Sequence, residues 1–258
     1  MRFKLPRLMI VLACALSVQA QQPASGNDTK SKASEKDIDP LALQVLKAAT
    51  DPIRQSQSYS FKVLVSREHL GSNGQVITLF HLSDVTVQRP DKLHVDFHGR
   101  GKEVQLFYNA GQAVLYAPDD KFYTQISGPR TLDATLDALE KRDVFLPTKN
   151  FLESDPYQSL TDDLLTGYVI GKVMLFDQAV HHLAFTEPGA EWQLWVVGGD
   201  HPEIRRLQVI DKSKPEHPRI VVDFLDWDLN ASPSADLFTF KKPADAKEID
   251  LLQEAAKK

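Results

Sequence analysis

The stretch 191–228, EWQLWVVGGDHPEIRRLQVIDKSKPEHPRIVVDFLDWD, constrains this chain more than any other. Apolar runs at 192–197, 205–210 and 220–225 are separated by clusters of Gly, Asp, His, Pro, Lys and Ser. Each run is too short for a helix and alternates with a period of two, the pattern of an antiparallel meander. In the first run Trp192, Leu194 and Val196 share one face, and Gln193, Trp195 and Val197 share the other. In the third, Ile220, Val222 and Phe224 oppose Val221, Asp223, Leu225 and Trp227. Both faces are partly apolar, whereas a sheet with one wet face alternates cleanly. The sheet is therefore expected to be covered on one side and to enclose something on the other.

Residues 1–20 form a separate unit. Arg2, Lys4 and Arg7 precede a short apolar stretch at 8–16, and Val18-Gln19-Ala20 is a small-x-small cleavage motif. This is a secretory signal, cut before Gln21 and too short to span a membrane as a mature helix. The expected product is soluble and periplasmic, without stable membrane insertion. The alternative is lipid anchoring through Cys14, the last residue of the box Val11-Leu12-Ala13-Cys14. Release after Ala20 is preferred because it leaves an apolar region of normal length. Cys14 is the single cysteine, so the mature chain has no disulfide, cysteine–metal site or thiol nucleophile to offer. Loss of the three signal cations moves the formal charge from −5 to −8, which speaks against nucleic acid as a partner.

The polar run QQPASGNDTKSKASEKD reads as a disordered linker that ends at residue 38. Asp39-Pro40 then starts a helix, with Asp39 as cap and Pro40 in the first turn. Leu41, Val45, Ala48 and Ala49 make its expected apolar stripe, and Asp51-Pro52 is expected to break or kink it. From 59 to 126 the period changes to two, with turns at 71–74, 90–91, 109–111 and 118–120. Residues 131–142 read as a helix with Leu132, Leu136 and Leu139 on one face. Pro147 opens a second short helix with Phe151 and Leu152, and Asp155-Pro156 caps a third with Leu160, Leu164 and Leu165. Strands resume at 168–176 and 180–185, pass through the opening meander and close at 237–240. The tail from Ala244 reads as at most a short surface helix. The whole is one α+β domain, mainly β, of about ten antiparallel strands around one helical block.

Candidate chemistry is sparse. His181 and His182 are adjacent on a strand and point to opposite faces. His94 and His98 share a face but lie roughly 13 Å apart at strand rise, too far for one metal. Gly198-Gly199-Asp200 precedes a strand, whereas a phosphate cradle needs a helix N-terminus. Asp223, Asp226 and Asp228 read as strand-surface charges. No nucleophile–base pair can be read, so the chain is expected not to be an enzyme and to need no cofactor or metal. Large aromatic area is the better signal: Trp192, Trp195 and Trp227, with Phe97, Phe107 and Phe224. An apolar groove lined by Phe97, Phe107, Trp192, Trp195 and Phe224 is one reading. Ordinary core under the helical insertion is the other.

The runs DQAVHHLAFTEPGAEWQLWV (177–196), PEIRRLQVI (202–210) and FLDWD (224–228) together resemble the DUF2092 family of predicted periplasmic proteins. Arg89-Pro90-Asp91, Asp155-Pro156-Tyr157 and Phe238-Thr239-Phe240 add to the match, which covers residues 39–247, the expected domain, and leaves 248–258 as a tail. The family is similar to the LolA/LolB lipoprotein-carrier group. That resemblance implies a strongly curved antiparallel sheet, an unclosed β-barrel, with helices on its concave side and an apolar cavity suited to acyl chains. Two functional readings follow. One is a carrier or sensor of an apolar or acylated ligand, lipid or lipoprotein-like, with Trp195 and Phe107 lining the space. The other is a structural or interaction module, filled by its own helices, that docks an envelope protein. A monomer is expected for either.

Processing is directly testable. Mass analysis of the exported protein is expected to show Gln21 as its first residue; fatty-acid labelling that disappears in Cys14→Ser would establish the anchored form instead.

Overall fold

The computed structural model describes residues 37–99, 101–141 and 146–249. The signal, its cleavage site, the linker up to residue 36 and the end of the tail lie outside the described residues.

The first meander forms β2 (Ser58–Leu70), β3 (Val76–Gln88), β4 (Lys92–Gly99), β5 (Lys102–Asn109), β6 (Gln112–Ala117) and β7 (Phe122–Ser127). The second forms β8 (Thr166–Leu175), β9 (Gln178–Glu187), β10 (Ala190–Val197), β11 (Glu203–Asp211) and β12 (Arg219–Asp228). These strands make one antiparallel sheet, with β12 beside β2 joining the two meanders. Two-residue strands, β1 (Asp37–Ile38) and β13 (Lys247–Glu248), pair parallel with β8 and β7 at the outer edges. The sheet thus has 13 strands, and its two ends do not pair with each other. It is large, curved and unclosed. Register shifts at Val169/Gly171, Trp195/Val196 and Leu225/Asp228 insert extra residues into the ladder, a device that bends strands.

The helices are α1 (Pro40–Gln55), α2 (Leu132–Glu140), α3 (Lys149–Leu152) and α4 (Pro156–Thr161). Asp39 caps α1 by accepting from the Leu41 N–H at 2.8 Å. Thr131 and Asp155 cap α2 and α4 in the same way. α1, α2 and α4 start where their caps place them, and α3, which has no side-chain cap, carries the expected Phe151 and Leu152.

The structure corrects four local expectations. Helix α1 runs through Pro52 to Gln55, so Asp51-Pro52 does not break it. Its buried face is Ala42, Leu46, Ala49 and Ile53, while Leu41 is exposed, so the stripe is rotated by one residue. The final strand expected at 237–240 is a 3-10 turn, Ala235–Phe238, and the tail beyond it pairs as β13. Trp227 leaves the face of Val221, Asp223 and Leu225: Asp226 takes φ 52° within the register shift, and Trp227 turns inward.

Inward means toward the helices. Trp227 packs 4.5 Å from Phe61 and 5.5 Å from Phe224, ring centre to ring centre, and its indole N–H donates to the Ile204 carbonyl at 2.9 Å. Phe151 of α3 meets Phe224 edge-on at 5.0 Å. The Tyr59 hydroxyl donates to the Phe151 carbonyl and accepts from Arg89, tying the helical block to the sheet. Phe224, with 0 % of its surface exposed, is the point where sheet, α3 and Trp227 meet. Phe224→Ala is expected to cost about 3–5 kcal/mol, the range for emptying a buried aromatic site. Urea unfolding of the two proteins checks this, and a loss below about 1 kcal/mol would contradict it.

Candidate functional site

Strand pairing assigns every side chain to one of two faces, because directly opposed residues point the same way. On the helix-side, concave face one row runs Phe185, Trp192, Val209, Ile220. The next runs Leu183, Leu194, Leu207, Val222, Val65, His81. Farther across the sheet lie Phe224, Val63, Ser83, Phe97, Val104, and beside them Phe61, Val85, Val95, Leu106, Leu115. Gly167 makes the first row possible: a Cβ there would lie 2.5 Å from the Phe185 ring, which stacks on Trp192 at 4.2 Å.

This face carries two apolar clusters. The larger, under the helices, includes Leu46, Phe61, Phe151, Leu183, Leu194 and Phe224. The smaller is Val104, Leu115 and Ala117, with Ile126 and Ile249 packed against it. Phe97 and Leu106 touch both. Helix α1 packs chiefly on β8, β10, β11 and α4, at the far end of the sheet from the smaller cluster.

The five aromatics expected to share a groove therefore divide. Phe97, Trp192 and Phe224 are on the concave face, although Trp192 and Phe224 are buried in the helix-covered core. Phe107 and Trp195 are on the convex face, so they do not line the helix-side space, and that expectation is corrected. Trp195 stacks on His182 at 4.3 Å, and the His182 ring nitrogen Nε2 bonds the Gln193 side-chain oxygen at 2.8 Å. Beside it Arg206 and Asp223 form a two-bonded ion pair at 2.6 and 3.0 Å. Phe107 lies between the His94 ring at 4.7 Å and Phe240 at 5.6 Å. Phe240 also meets Tyr116 and Tyr123, so the C-terminal segment covers the convex face of β4–β7. The sequence signal for that cover was the pair Phe238 and Phe240, read instead as a strand.

An open depression of about 550 Å³ lies where α1 ends, lined by Pro52, Gln55, Ser56, Gln57, Ser58, Leu229, Asn230 and Ala231. Its wall is part polar and part apolar and holds none of the five aromatics. Among the described residues no group of three or more His, Cys, Asp or Glu side chains could hold a metal ion. No described helix is long and apolar enough to cross a membrane.

Electrostatics follow burial. Desolvation pushes the Tyr59 phenol well above its ordinary range, against the opposing charge of Arg89. Desolvation also raises the Glu187 carboxyl, opposed by a hydrogen bond from Trp192. On the convex face Asp96 is held below its ordinary value, chiefly by its hydrogen bond with His94 at 3.1 Å. Gln105 donates to the other Asp96 oxygen at 2.8 Å.

Residues 42–252 match the family model described as "Predicted periplasmic protein (DUF2092)". The chain belongs to the DUF2092 family. No curated relative matches it. Among solved structures it is similar to an uncharacterised conserved protein from Thermus thermophilus, at 12% identity and TM-score 0.45, over 81% of this chain and 98% of that one. It is similar to LprF from Mycobacterium bovis, at 12% identity and TM-score 0.44, over 81% and 99%. It is also similar to a LolA superfamily protein from Nitrosomonas europaea, at 11% identity and TM-score 0.34, over 77% and 97%.

The Asp96 pair has a consequence for acid stability. A carboxyl whose folded pKa is depressed contributes stability that is present above its unfolded value, ordinarily 3.8, and lost as pH falls through the lower folded value. Asp96→Asn is expected to be less stable than the wild type at pH 7, with the difference shrinking as the pH falls below the ordinary carboxylate range. Thermal melts across that range check the sign; a difference that grows toward acid would contradict it.

Proposed function

We propose that this DUF2092 protein is a periplasmic, non-enzymatic carrier or sensor of an apolar or acylated ligand. The observation that carries the reading is one continuous apolar face on an unclosed sheet, covered by short helices and the chain's own tail rather than by a second sheet. At ~4.8 Å per strand the sheet is on the order of 50 Å across along its curve. A helix is ~10 Å wide, and α1, the longest, is roughly 24 Å long at 1.5 Å per residue. α3 and α4 are only 4 and 6 residues long. The larger core reaches from β9 to β5 and includes Leu132 and Leu136 of α2, and Val104, Leu115 and Ala117, each no more than 3 % exposed, continue the apolar surface onto β5 and β6 under Ile126 and Ile249. An acyl chain would enter by displacing this cover, and each Å² of apolar area it takes over is worth roughly 25 cal/mol.

The competing reading is an interaction module whose concave side is filled by the protein itself. The two separate in a binding experiment. A fluorescently labelled fatty acid is expected to bind the wild type with blue-shifted emission. Val104→Trp, which adds bulk to the already packed second cluster without introducing charge, is expected to weaken binding about tenfold or more. Phe107→Ala, on the opposite face, is expected to leave it unchanged. Circular dichroism of each variant confirms that the sheet is retained. No binding of any acyl probe to the wild type would support the module and remove the carrier.

A further inference from the structure

The segment 240–249 wraps β7 from the convex to the concave side of the sheet. Phe240 sits on the convex face among Phe107, Tyr116 and Tyr123. The chain turns after Pro243, whose carbonyl accepts from the Ala246 N–H at 3.1 Å. It then pairs along β7 as β13, and Ile249 ends on the apolar cluster of Val104, Leu115 and Ala117. Among the described residues, four partly buried apolar side chains pack on that cluster: Phe97, Leu106, Ile126 and Ile249. Phe97, Leu106 and Ile126 stand on β4, β5 and β7 and are fixed by the sheet. Ile249 stands on no long strand, so it can leave while the ladder of β4–β7 stays intact.

The fastening of this strap is slight. Two residues are in register, Lys247 opposite Phe122 and Glu248 opposite Tyr123. The Lys247 and Ile249 amides donate to the Lys121 and Tyr123 carbonyls, each at 2.9 Å. The Tyr123 hydroxyl reaches the Glu248 carboxylate at 3.3 Å. Lys121 and Asp245 pair with both side chains 59 % exposed, and ion pairs so open to water contribute little. The joint under the helices is the opposite case, with Phe151 and Phe224 both fully buried. Segments with few buried apolar contacts and peripheral backbone bonds open first. Phe240, held by three rings, remains as the anchor about which the strap can swing.

We infer that the segment 244–249 is a displaceable lid on the acyl site, and that Ile249 and the ligand's hydrocarbon chain compete for Val104, Leu115 and Ala117. The inference rests on the carrier reading and names the entry route for its ligand. With no ligand, Ile249 keeps the cluster out of water, so the empty protein exposes no acyl-sized apolar patch there. An entering chain replaces the burial that opening removes. Its apparent affinity is lowered by the fraction of molecules in which the lid is closed.

The test follows binding of a fluorescently labelled fatty acid to the chain 21–258, which contains no cysteine. Phe122→Cys with Lys247→Cys places a thiol on each of two directly opposed residues of neighbouring strands. That spacing, ~4.8 Å between strands, falls within the range a disulfide spans. The oxidised pair is expected to bind about tenfold more weakly than the same protein after reduction. Ile249→Ser, which loosens the lid without a cross-link, is expected to bind about fivefold more tightly than the wild type. In the wild type the Ile249 amide is expected to exchange its hydrogen faster when the fatty acid is bound. A strap with a structural role alone would lower the melting temperature of Ile249→Ser and leave its binding unchanged. If the wild type binds but oxidised and reduced pairs bind alike and Ile249→Ser matches the wild type, the lid is wrong and the carrier stands. If neither the wild type, the reduced pair nor Ile249→Ser binds the fatty acid, both fall.

Discussion

Everything in this structure follows from an apolar concave face on a sheet that does not close. A closed barrel would leave no edges and could fill its interior with its own side chains. Here the order of strands ends at β1 and β13, which are far apart in the sheet, so the concave surface must be covered from outside it. The insertion between the two meanders supplies α2, α3 and α4, and the segment before β2 supplies α1. Phe151, Phe224, Phe61 and Trp227 make the joint between this cover and the sheet. The cover is made of short separate helices and the chain's tail rather than a second sheet, and the proposed carriage of a ligand depends on its being displaced.

The convex face solves the opposite problem by two different means. Across β9–β12 it is kept wet by polar pairs, Arg206 with Asp223 and His182 with Gln193, although Trp195 sits among them. Across β4–β7 it is covered by the chain's own end, where Phe240 fits between Phe107, Tyr116 and Tyr123. Lys121 pairs with Asp245, and the Lys247 and Ile249 amides donate to the Lys121 and Tyr123 carbonyls, fastening that segment to the edge strand. Aromatic area on both faces is therefore consistent with a single ligand face, because the convex aromatics of β4–β7 have a covering partner in the same chain.

What the sequence determined by itself was local and periodic. Period-two runs set the strands, Asp39, Thr131 and Asp155 set the helix starts, and the family pattern from 177 to 240 set the curved sheet with its helical cover. These signals act over a few residues, or over motif order, and need no knowledge of distant contacts. Tertiary structure decided the rest. Pro52 stays in α1 because packing of Ile53 beyond it outweighs the cost of one missing N–H. Trp227 turns inward because a register shift, invisible in an alternating run, moves it to the other face. Phe107 and Trp195 belong to the convex side because the sense of curvature chooses which parity of each strand meets the helices. Parity alone could separate Trp192 from Trp195, but only the packed helices could say which of the two faces inward. Ser83 looked like any strand serine until the pairing of β2, β3 and β4 set its hydroxyl between Val63 and Phe97 with nothing to bond.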